Sequence, residues 1–158
     1  MVVIREFAPQ DGEAVSALIR HTMRVSNSHD YPLARLQPLM DYFSPDKVRQ
    51  LNQERLCLVA EISGQLIGTI GLEGTELVTF FVHPEHQGKG IGKQLLTAIE
   101  ECGRAQGITR ITVDSSLTGA VFYARMGYER TGVEREGTAG PQIGMEKRLV
   151  PSHSVTSQ

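Results

Sequence analysis

Long apolar runs are missing from this sequence, and cysteine is scarce, with two among 158 residues. No stretch approaches the roughly 18 apolar residues that span a bilayer, and the start MVVIREFAPQ has no apolar segment of signal-peptide length. We therefore expect a soluble, cytoplasmic protein with no membrane partner. Cys57 lies in a strand-like run and Cys102 on the apolar side of a helix-like run, so both are expected to be buried free thiols.

An excess of basic charge is also missing. The chain has 16 Lys and Arg against 18 Asp and Glu, a formal charge of -2. A nucleic-acid phosphate backbone usually demands a positive excess, so nucleic acid is not expected as a main partner. Metal ligands are sparse as well: His83 and His86 are three residues apart, but Pro84 opposes a helix there and no Cys or His cluster completes a first shell. No metal site is expected.

No repeat, low-complexity block or linker divides the chain. Its composition, 40% hydrophobic and 22% charged, is ordinary for one domain with a self-sufficient core. We expect that domain to occupy residues 1–150. The remaining residues, 151–158, read PSHSVTSQ and are expected to form a disordered tail.

The first third of the chain predicts a strand and then helices. Apolar residues alternate from Val2, and a helical period begins at Asp11. Residues 26–40 contain two prolines and no clean period, so an irregular segment is expected there. Ser44 then has the character of an N-cap with Pro45 at the first helical position.

From residue 56 onward the pattern becomes β-rich. The runs CLVAEI, LIGTIGL and LVTFFV, separated by turn residues, predict an antiparallel meander. An amphipathic helix from Ile91 to a stop at Gly107 follows, then a strand in ITRITV, a short helix in GAVFYARM and a final strand pair. This order predicts an α/β or α+β fold, a mixed sheet with helices on both faces.

The glycine-rich turn QGKGIG, residues 87–92, joins a strand to the amphipathic helix. Glycine lets a ligand approach the backbone, and the first turn of a helix presents unpaired N–H groups and a positive dipole end, which favours an anion. Lys89 and Lys93 add positive charge. Neither G-x-x-x-x-G-K-S/T nor G-x-G-x-x-G is present, which disfavours nucleoside triphosphates and dinucleotides. A turn that merely begins a helix is the alternative.

Two blocks of the sequence resemble the GNAT superfamily of acetyl-CoA-dependent N-acetyltransferases. The family pattern Q/R-x-x-G-x-G/A is matched by Gln87, Gly90 and Gly92, after the typical V-x-P-E-x-Q. Residues 122–128, FYARMGY, match the family's F-Y-x-x-x-G-F/Y pattern. The resemblance implies a single-domain acyl-CoA N-acyltransferase fold, with a mixed, mostly antiparallel sheet of about seven strands flanked by about four helices.

The resemblance also implies where acetyl-CoA binds as the co-substrate. Phe80, Phe81 and Val82 would offer backbone groups to the pantetheine arm, and their strand is expected to bulge and splay from the next one. The pyrophosphate would lie on backbone amides of the glycine turn, with a lysine contributing charge. The residues implied there are Gln87, Gly88, Lys89, Gly90, Ile91, Gly92 and Lys93.

In similar enzymes a tyrosine beside the CoA sulfur protonates the departing thiolate, and Tyr123 matches that position. It is the expected general acid. An acceptor ammonium with pKa near 10.4 must lose a proton before it attacks. Glu76 aligns with the carboxylate that acts as general base in some relatives, with Glu73 or a chain of water molecules as alternatives.

The sequence departs from the family where an asparagine often follows the fifth strand. Here Asp114, Ser115 and Ser116 occupy that stretch, and Ser116 is retained as a cofactor contact. His29, Asp30 and Tyr31 border the acceptor pocket by resemblance, although an exposed polar loop is the favoured interpretation. Residues 132–141 form either a substrate-side loop or a mobile hairpin end.

The predicted function is direct transfer of an acetyl group from acetyl-CoA to a primary amine. A non-catalytic acyl-CoA sensor of the same fold and a nucleotide-binding module are the alternatives. The acceptor, a small-molecule or peptide amine, stays open because the residues around its pocket come from the variable first third and the last hairpin. Dimers are common in the family, so a homodimer is an expected alternative to a monomer.

Overall fold

The computed structural model describes residues 1–150, so the tail expected to be disordered lies outside the described residues. The strands are β1 (Val2–Glu6), β2 (Leu56–Ile62), β3 (Gln65–Glu73), β4 (Glu76–Val82), β5 (Arg110–Ser115), β6 (Glu129–Glu136) and β7 (Pro141–Arg148). The helices are α1 (Gly12–Val25), α2 (Leu33–Tyr42), α3 (Pro45–Leu51), α4 (Ile91–Ala105) and α5 (Gly119–Arg125). Short 3-10 turns cover Pro9–Asp11, Asn27–His29 and Pro84–His86.

The seven strands form one mixed sheet in the order β1-β2-β3-β4-β5-β7-β6. Neighbouring strands are antiparallel except β4 and β5, which run parallel. The parallel pair is possible because α4 crosses between them, as parallel strands require. The expected mixed, mostly antiparallel sheet of seven strands is confirmed, with five helices where about four were expected. Among residues 1–150, no helix has the length and apolar character to cross a membrane.

The prediction of an irregular segment at residues 26–40 is wrong for the second half of that segment, which belongs to α2. Leu36 and Met40 are spaced i, i+4 and are each 1% exposed, so one face of the helix is buried. Pro38 lies inside this helix and removes one backbone donor. Burial of the apolar face therefore outweighs a sequence signal that disfavours a helix.

The predicted start of α3 is confirmed. The Ser44 hydroxyl accepts a hydrogen bond from the Lys47 N–H at 3.2 Å, and Pro45 occupies the first helical position. Both cysteines are free thiols, as predicted; the expected burial is confirmed for Cys57, whereas Cys102 is half-buried. Burial raises the pKa of both thiols, which keeps them protonated and unreactive.

Each face of the sheet carries its own apolar core. On one side, which we call the α4 face, Leu95 and Ile99 of the helix pack against strand residues such as Ile111. On the other, the α1 face, Val15 and Ile19 pack against Val59. Because strand side chains alternate between faces, neighbouring residues of β4 and β5 serve opposite sides of the sheet.

An ion pair fixes the entry to α1. The Arg5 guanidinium donates to both carboxylate oxygens of Asp11, at 2.8 and 3.0 Å, and the same carboxylate accepts the Ala8 N–H at 2.8 Å. The Asp11 side chain is 8% exposed and that of Arg5 is 35% exposed. The guanidinium beside Asp11 holds the pKa of that carboxyl below its ordinary value.

The sheet opens at the seam between β4 and β5. In the described chain these strands share one register pair, Glu76 with Thr112, and the Thr112 N–H donates to the Thr75 carbonyl at 2.9 Å. Beyond that point β4 bulges, because one extra residue lies between the pairs that Val78 and Phe81 make with β3. The expected bulge and splay are thereby confirmed.

The bulge depends on an unusual backbone and a close approach. Thr79, within it, has φ +44°, which is uncommon for a residue other than glycine. Gly71 faces the bulge on β3, and a Cβ added there would lie 3.0 Å from Val78 Cγ2 and 3.1 Å from Thr79 Oγ1. A glycine at position 71 therefore gives the bulged strand room to pack.

Candidate active site

A cleft of about 900 Å³ passes through the open seam. Phe80 lies on the α4 face, where its ring meets those of Phe122 and Tyr123 at centroid distances of 5.7 and 6.2 Å. Phe81, its neighbour, packs on the α1 face with the α1 core. The cleft thus has two halves, one on each side of the sheet, connected where β4 and β5 separate.

The glycine turn lies at one end of the α4-face half. Gly88 and Gly90 have φ +78° and +83°, and a Cβ added at either would meet no atom within 4 Å. Gly90 is the N-cap of α4, a helix of 15 residues, so its free N–H groups and positive dipole end face this open space. Lys93 also lines the cleft. The turn therefore offers an unobstructed cradle for an anion.

Most residues predicted to bind the cofactor line this one cleft, on both sides of the seam. They are Phe80, Phe81, Val82, Gln87, Gly88, Gly90, Gly92, Lys93, Ser116 and Tyr123.

Three predicted residues do not line the cleft. The side chain of Ile91 is 3% exposed and belongs to the α4 core, so only its backbone faces the turn. Lys89 is exposed, outside the cleft lining. Glu76 is exposed as well, one residue before the cleft-lining Leu77.

Gln87 is tied to both sides of the site. Its side-chain amide donates to the Val82 carbonyl at 2.9 Å and to the Ser26 hydroxyl at 3.1 Å. The first bond anchors the turn to the end of β4, and the second anchors it to the end of α1. Such a residue orients the cradle, which gives a structural reason for glutamine at this position.

Tyr123 extends from α5 to the wall of the cleft and is 7% exposed. Its ring packs edge-on against Phe122 at 5.4 Å and Tyr128 at 5.5 Å. Burial raises the pKa of its phenol well above the ordinary value of 10. The phenol therefore carries its proton throughout the neutral range and can donate it to an anion formed beside it.

A buried charge network stands behind Tyr123. The Tyr128 hydroxyl donates to Glu100 at 2.8 Å, and the Lys147 ammonium donates to the same carboxylate at 3.1 and 3.2 Å. Glu100 is 3% exposed, so these bonds offset the cost of burying its charge. Since the Tyr128 N–H also donates to the Tyr123 carbonyl at 2.9 Å, the network holds the C-terminal end of α5 against the sheet.

Glu76 shares the α1 face of the sheet with Asp114. Leu77 and Val113 pack in the α4 core, so their neighbours Glu76 and Asp114 point to the opposite side. Although Glu76 is exposed as a residue, its carboxyl is partly desolvated, which raises its pKa; the charge of Asp114 raises the pKa further, and Arg135 opposes the shift. A carboxylate with a raised pKa accepts protons more readily near neutral pH.

The α1-face half holds residues that sequence reasoning missed or placed differently. Tyr31 was expected in an exposed loop, and this is wrong: it is 6% exposed, and its hydroxyl donates to the Pro141 carbonyl at 2.7 Å. Gly140 permits the contact, since a Cβ there would lie 2.6 Å from the tyrosine ring. The segment 132–141 therefore contributes its 137–140 end to the cleft wall.

The segment from Ser26 to Arg35 contributes Asn27 and Tyr31 to the cleft lining and is tied to distant parts of the chain. Besides the bonds of Gln87 and Tyr31, the Asp30 carboxylate accepts hydrogen bonds from the hydroxyl and the N–H of Thr118. Arg35 donates to the Thr138 carbonyl at 3.2 Å. These contacts join α1 and α2 to the β5–α5 loop and to the last hairpin. The segment gives no single periodic signal, which explains why its sequence did not reveal the arrangement.

Within residues 1–150, no group of three or more His, Cys, Asp or Glu side chains is arranged to hold a metal ion. The polar groups of the cleft are backbone N–H groups, side-chain hydroxyls, side-chain amides and two charged side chains, Lys93 and Asp114. This arrangement suits an anion at the glycine turn, a proton donor at the seam and a cation on the α1 face.

A family model described as an acetyltransferase (GNAT) domain matches residues 27–149. Among solved structures, a GCN5-related N-acetyltransferase from Rhodopseudomonas palustris superposes with a TM-score of 0.85 at 24% identity, over 93% of this chain and 95% of that one. The PaiA N-acetyltransferase from Thermoplasma acidophilum, in complex with coenzyme A, gives 0.81 at 23% identity, over 94% and 99%.

An aminoglycoside 6'-N-acetyltransferase from Enterococcus faecium gives a TM-score of 0.72 at 21% identity, over 94% of this chain and 98% of that one. At these identities the superpositions establish a shared fold.

Proposed function

This chain belongs to the GNAT acetyltransferase family and is an acyltransferase, and from that premise we propose that it transfers an acetyl group from acetyl-CoA directly to a primary amine. The observation that carries the proposal is the position of Tyr123. Tyr123 lines the same cleft as the glycine turn and the α1-face residues, and its ring packs against that of Phe80 on the open strand β4. A proton donor placed there serves a reaction that releases an anion.

Two features of the cleft, the cradle and the open seam, support acetyl-CoA as the co-substrate. The pyrophosphate suits the backbone N–H groups at the start of α4, with Lys93 as a nearby cation. The pantetheine suits the edge of β4 beyond Glu76, where strand pairing with β5 has ended. When bound, acetyl-CoA supplies an activated acetyl carbon as a thioester.

The chemistry then requires three proton transfers. The acceptor ammonium loses one proton to a base, the neutral amine forms the N–C bond, and the C–S bond breaks. Tyr123 donates its proton to the departing thiolate and regains one from the nitrogen, so the net products are an amide, CoA thiol and one proton. A phenol with a raised pKa recovers its proton readily after each cycle.

We assign the first proton transfer to Glu76, directly or through water. Its carboxyl lies on the α1 face of the seam, and its raised pKa brings it closer to neutral than an ordinary glutamate. The base is exposed, so the proton it receives passes to solvent. Asp114, on the same face, raises the pKa of this carboxyl by its own charge.

The test is release of free CoA thiol from acetyl-CoA across a panel of amines. Tyr123→Phe removes only the hydroxyl, and we expect the acceptor-dependent rate to fall by roughly 10²- to 10⁴-fold with the KM for acetyl-CoA little changed. Tyr42→Phe is the matched control, because Tyr42 is 47% exposed at the end of α2 and outside the cleft lining.

Amine-dependent release that falls in Tyr123→Phe and persists in Tyr42→Phe supports both the reaction and the acid. Release that persists in Tyr123→Phe supports the transferase and rejects Tyr123 as the acid. Binding of CoA without release for any amine rejects the transferase and supports the non-catalytic sensor instead.

A further inference from the structure

The two charged side chains that line the cleft lie on different sides of the sheet. Lys93 belongs to α4, on the α4 face. Asp114 alternates with Val113 and Ser115, which point into the α4 side, and it therefore faces the α1 side. The cleft therefore favours an anionic ligand in its α4-face half, near Lys93, and a cationic ligand in its α1-face half, near Asp114.

The carboxylate of Asp114 is placed to receive a cation. Its side chain is 24% exposed, and it lies 3.7 Å from the guanidinium of Arg135, whose own side chain is 66% exposed. The Arg135 contact is long and mostly solvated, so it is weak and easily replaced. Asp114 thus has a wetted carboxylate facing the acceptor half, with a partner that an incoming ammonium can displace.

The rest of this half is mostly apolar. Side chains from α1, the 26–35 segment, α2, β4 and the last hairpin form its wall, and they are Met23, Tyr31, Leu36, Leu39, Val78, Phe81 and Ala139. No second carboxylate lines the cleft within residues 1–150. Glu76, on the same face, lies outside the lining. A ligand with several separated cations would therefore lose water from each of them and gain a single carboxylate partner within the lining.

From this distribution we propose that the acceptor is a monoamine. Its one primary ammonium is held by Asp114, and its apolar body lies against the apolar wall to which Leu39 belongs. The inference rests on the proposed acetyl transfer and names its acceptor class. Asp114 is then an acceptor-binding residue that selects for charge, while the wall selects for apolar area. Polyamines and aminoglycosides are excluded as preferred acceptors.

The first experiment measures kcat/KM for ethylamine, butylamine and 2-phenylethylamine alongside spermidine and an aminoglycoside, with acetyl-CoA saturating. We expect kcat/KM to rise with apolar area, by roughly 10- to 100-fold from ethylamine to 2-phenylethylamine. A polycation with the highest kcat/KM overturns the monoamine inference while leaving acetyl transfer established. If no amine is acetylated, the proposed function fails and this inference fails with it.

The second experiment tests the two residues separately. Leu39→Ala is expected to lower kcat/KM for 2-phenylethylamine by roughly tenfold and to leave ethylamine nearly unchanged. Leu33→Ala is the control on the same helix, since Leu33 is 49% exposed and outside the cleft lining. Equal losses for both amines in Leu39→Ala contradict the apolar wall.

For the charge, Asp114→Asn is expected to raise the KM for amines by about tenfold with the KM for acetyl-CoA unchanged. Arg135→Gln is expected to lower the amine KM by roughly two- to fivefold, because it removes the competing cation. Asp46→Asn, on an exposed side chain of α3, is the control. If the amine KM is unchanged in both Asp114→Asn and Arg135→Gln, the assignment of Asp114 as the ammonium-binding residue is rejected.

Discussion

Gly90 and Gly107 allow a sharp test of the phosphate cradle, because they stand at opposite ends of the same helix with the same backbone angle. Both have φ +83°, and a Cβ added at either would meet no atom within 4 Å. Alanine in this left-handed region costs about 1–2 kcal/mol. Gly90→Ala and Gly107→Ala therefore impose similar backbone strain, one at the cradle and one far from it.

For a domain of this length, about 1–2 kcal/mol corresponds to a fall in Tm of roughly 2 to 8 °C. We expect Gly107→Ala to show the full fall. In Gly90→Ala, the strain that the free turn relieves does not lower the Tm; it returns when phosphate orders the turn, and it then weakens CoA binding. A cost of about 1–2 kcal/mol raises Kd by roughly 5- to 30-fold.

The assay is titration calorimetry with CoA, together with thermal unfolding of each variant. We expect a raised Kd in Gly90→Ala and an unchanged Kd in Gly107→Ala. Equal dissociation constants in both variants, with similar losses of Tm, would refute the role of the left-handed Gly90 in holding the pyrophosphate. An unaltered Tm in Gly107→Ala would instead refute the strain estimate on which the comparison depends.

Three further outcomes follow from buried or charged groups. Asp11→Asn should cost about 2 kcal/mol at pH 7. Because the folded pKa is depressed, this stability is fully present above pH 3.8 and is lost as pH falls through the lower folded value, so the difference between the two proteins in urea unfolding should shrink as the pH is lowered below 3.8; a difference that stays constant with pH would contradict this. Glu76→Gln should lower kcat and remove the fall in rate on the acid side. The Glu76 carboxyl must be deprotonated to act as a base, and its raised pKa brings that titration closer to neutral pH. An unchanged pH profile would reject Glu76 as the base. Thr22→Val should raise the Tm of the ligand-free protein, since the buried Thr22 hydroxyl has no hydrogen-bond partner within residues 1–150; a lower Tm would contradict this.

Local patterns predicted the parts of the fold that depend on local rules. The Ser44 cap, the β2–β4 meander and the helix after the glycine turn each follow from residues close in sequence. The α2 helix was not predicted, because Pro38 and the mixed period of residues 26–40 concealed its apolar face, which is buried against the α1 core. Its helical state is decided by tertiary packing.

The candidate site divides in the same way. The glycine turn and Tyr123 were identifiable because their spacing along the chain is itself the signal. The acceptor half is assembled from segments far apart in sequence: Tyr31 meets Pro141 across 110 positions, and Asp30 meets Thr118 across 88. Whether Asp114 faces the cleft or the solvent depends on strand register, which composition does not encode.

The open seam divides the sheet into two groups of strands. Strands β1–β4 form one ladder and β5–β7 another, and in the described chain a single rung of strand pairing connects them. The backbone is therefore least reinforced along the line where a ligand is expected to enter. A pantetheine arm in that gap would complete the rungs, and at 100 times its Kd it would add about 2.7 kcal/mol to the free energy of unfolding. The protein would then be most stable against unfolding with CoA bound, and each release of CoA would return it to the less stable free state.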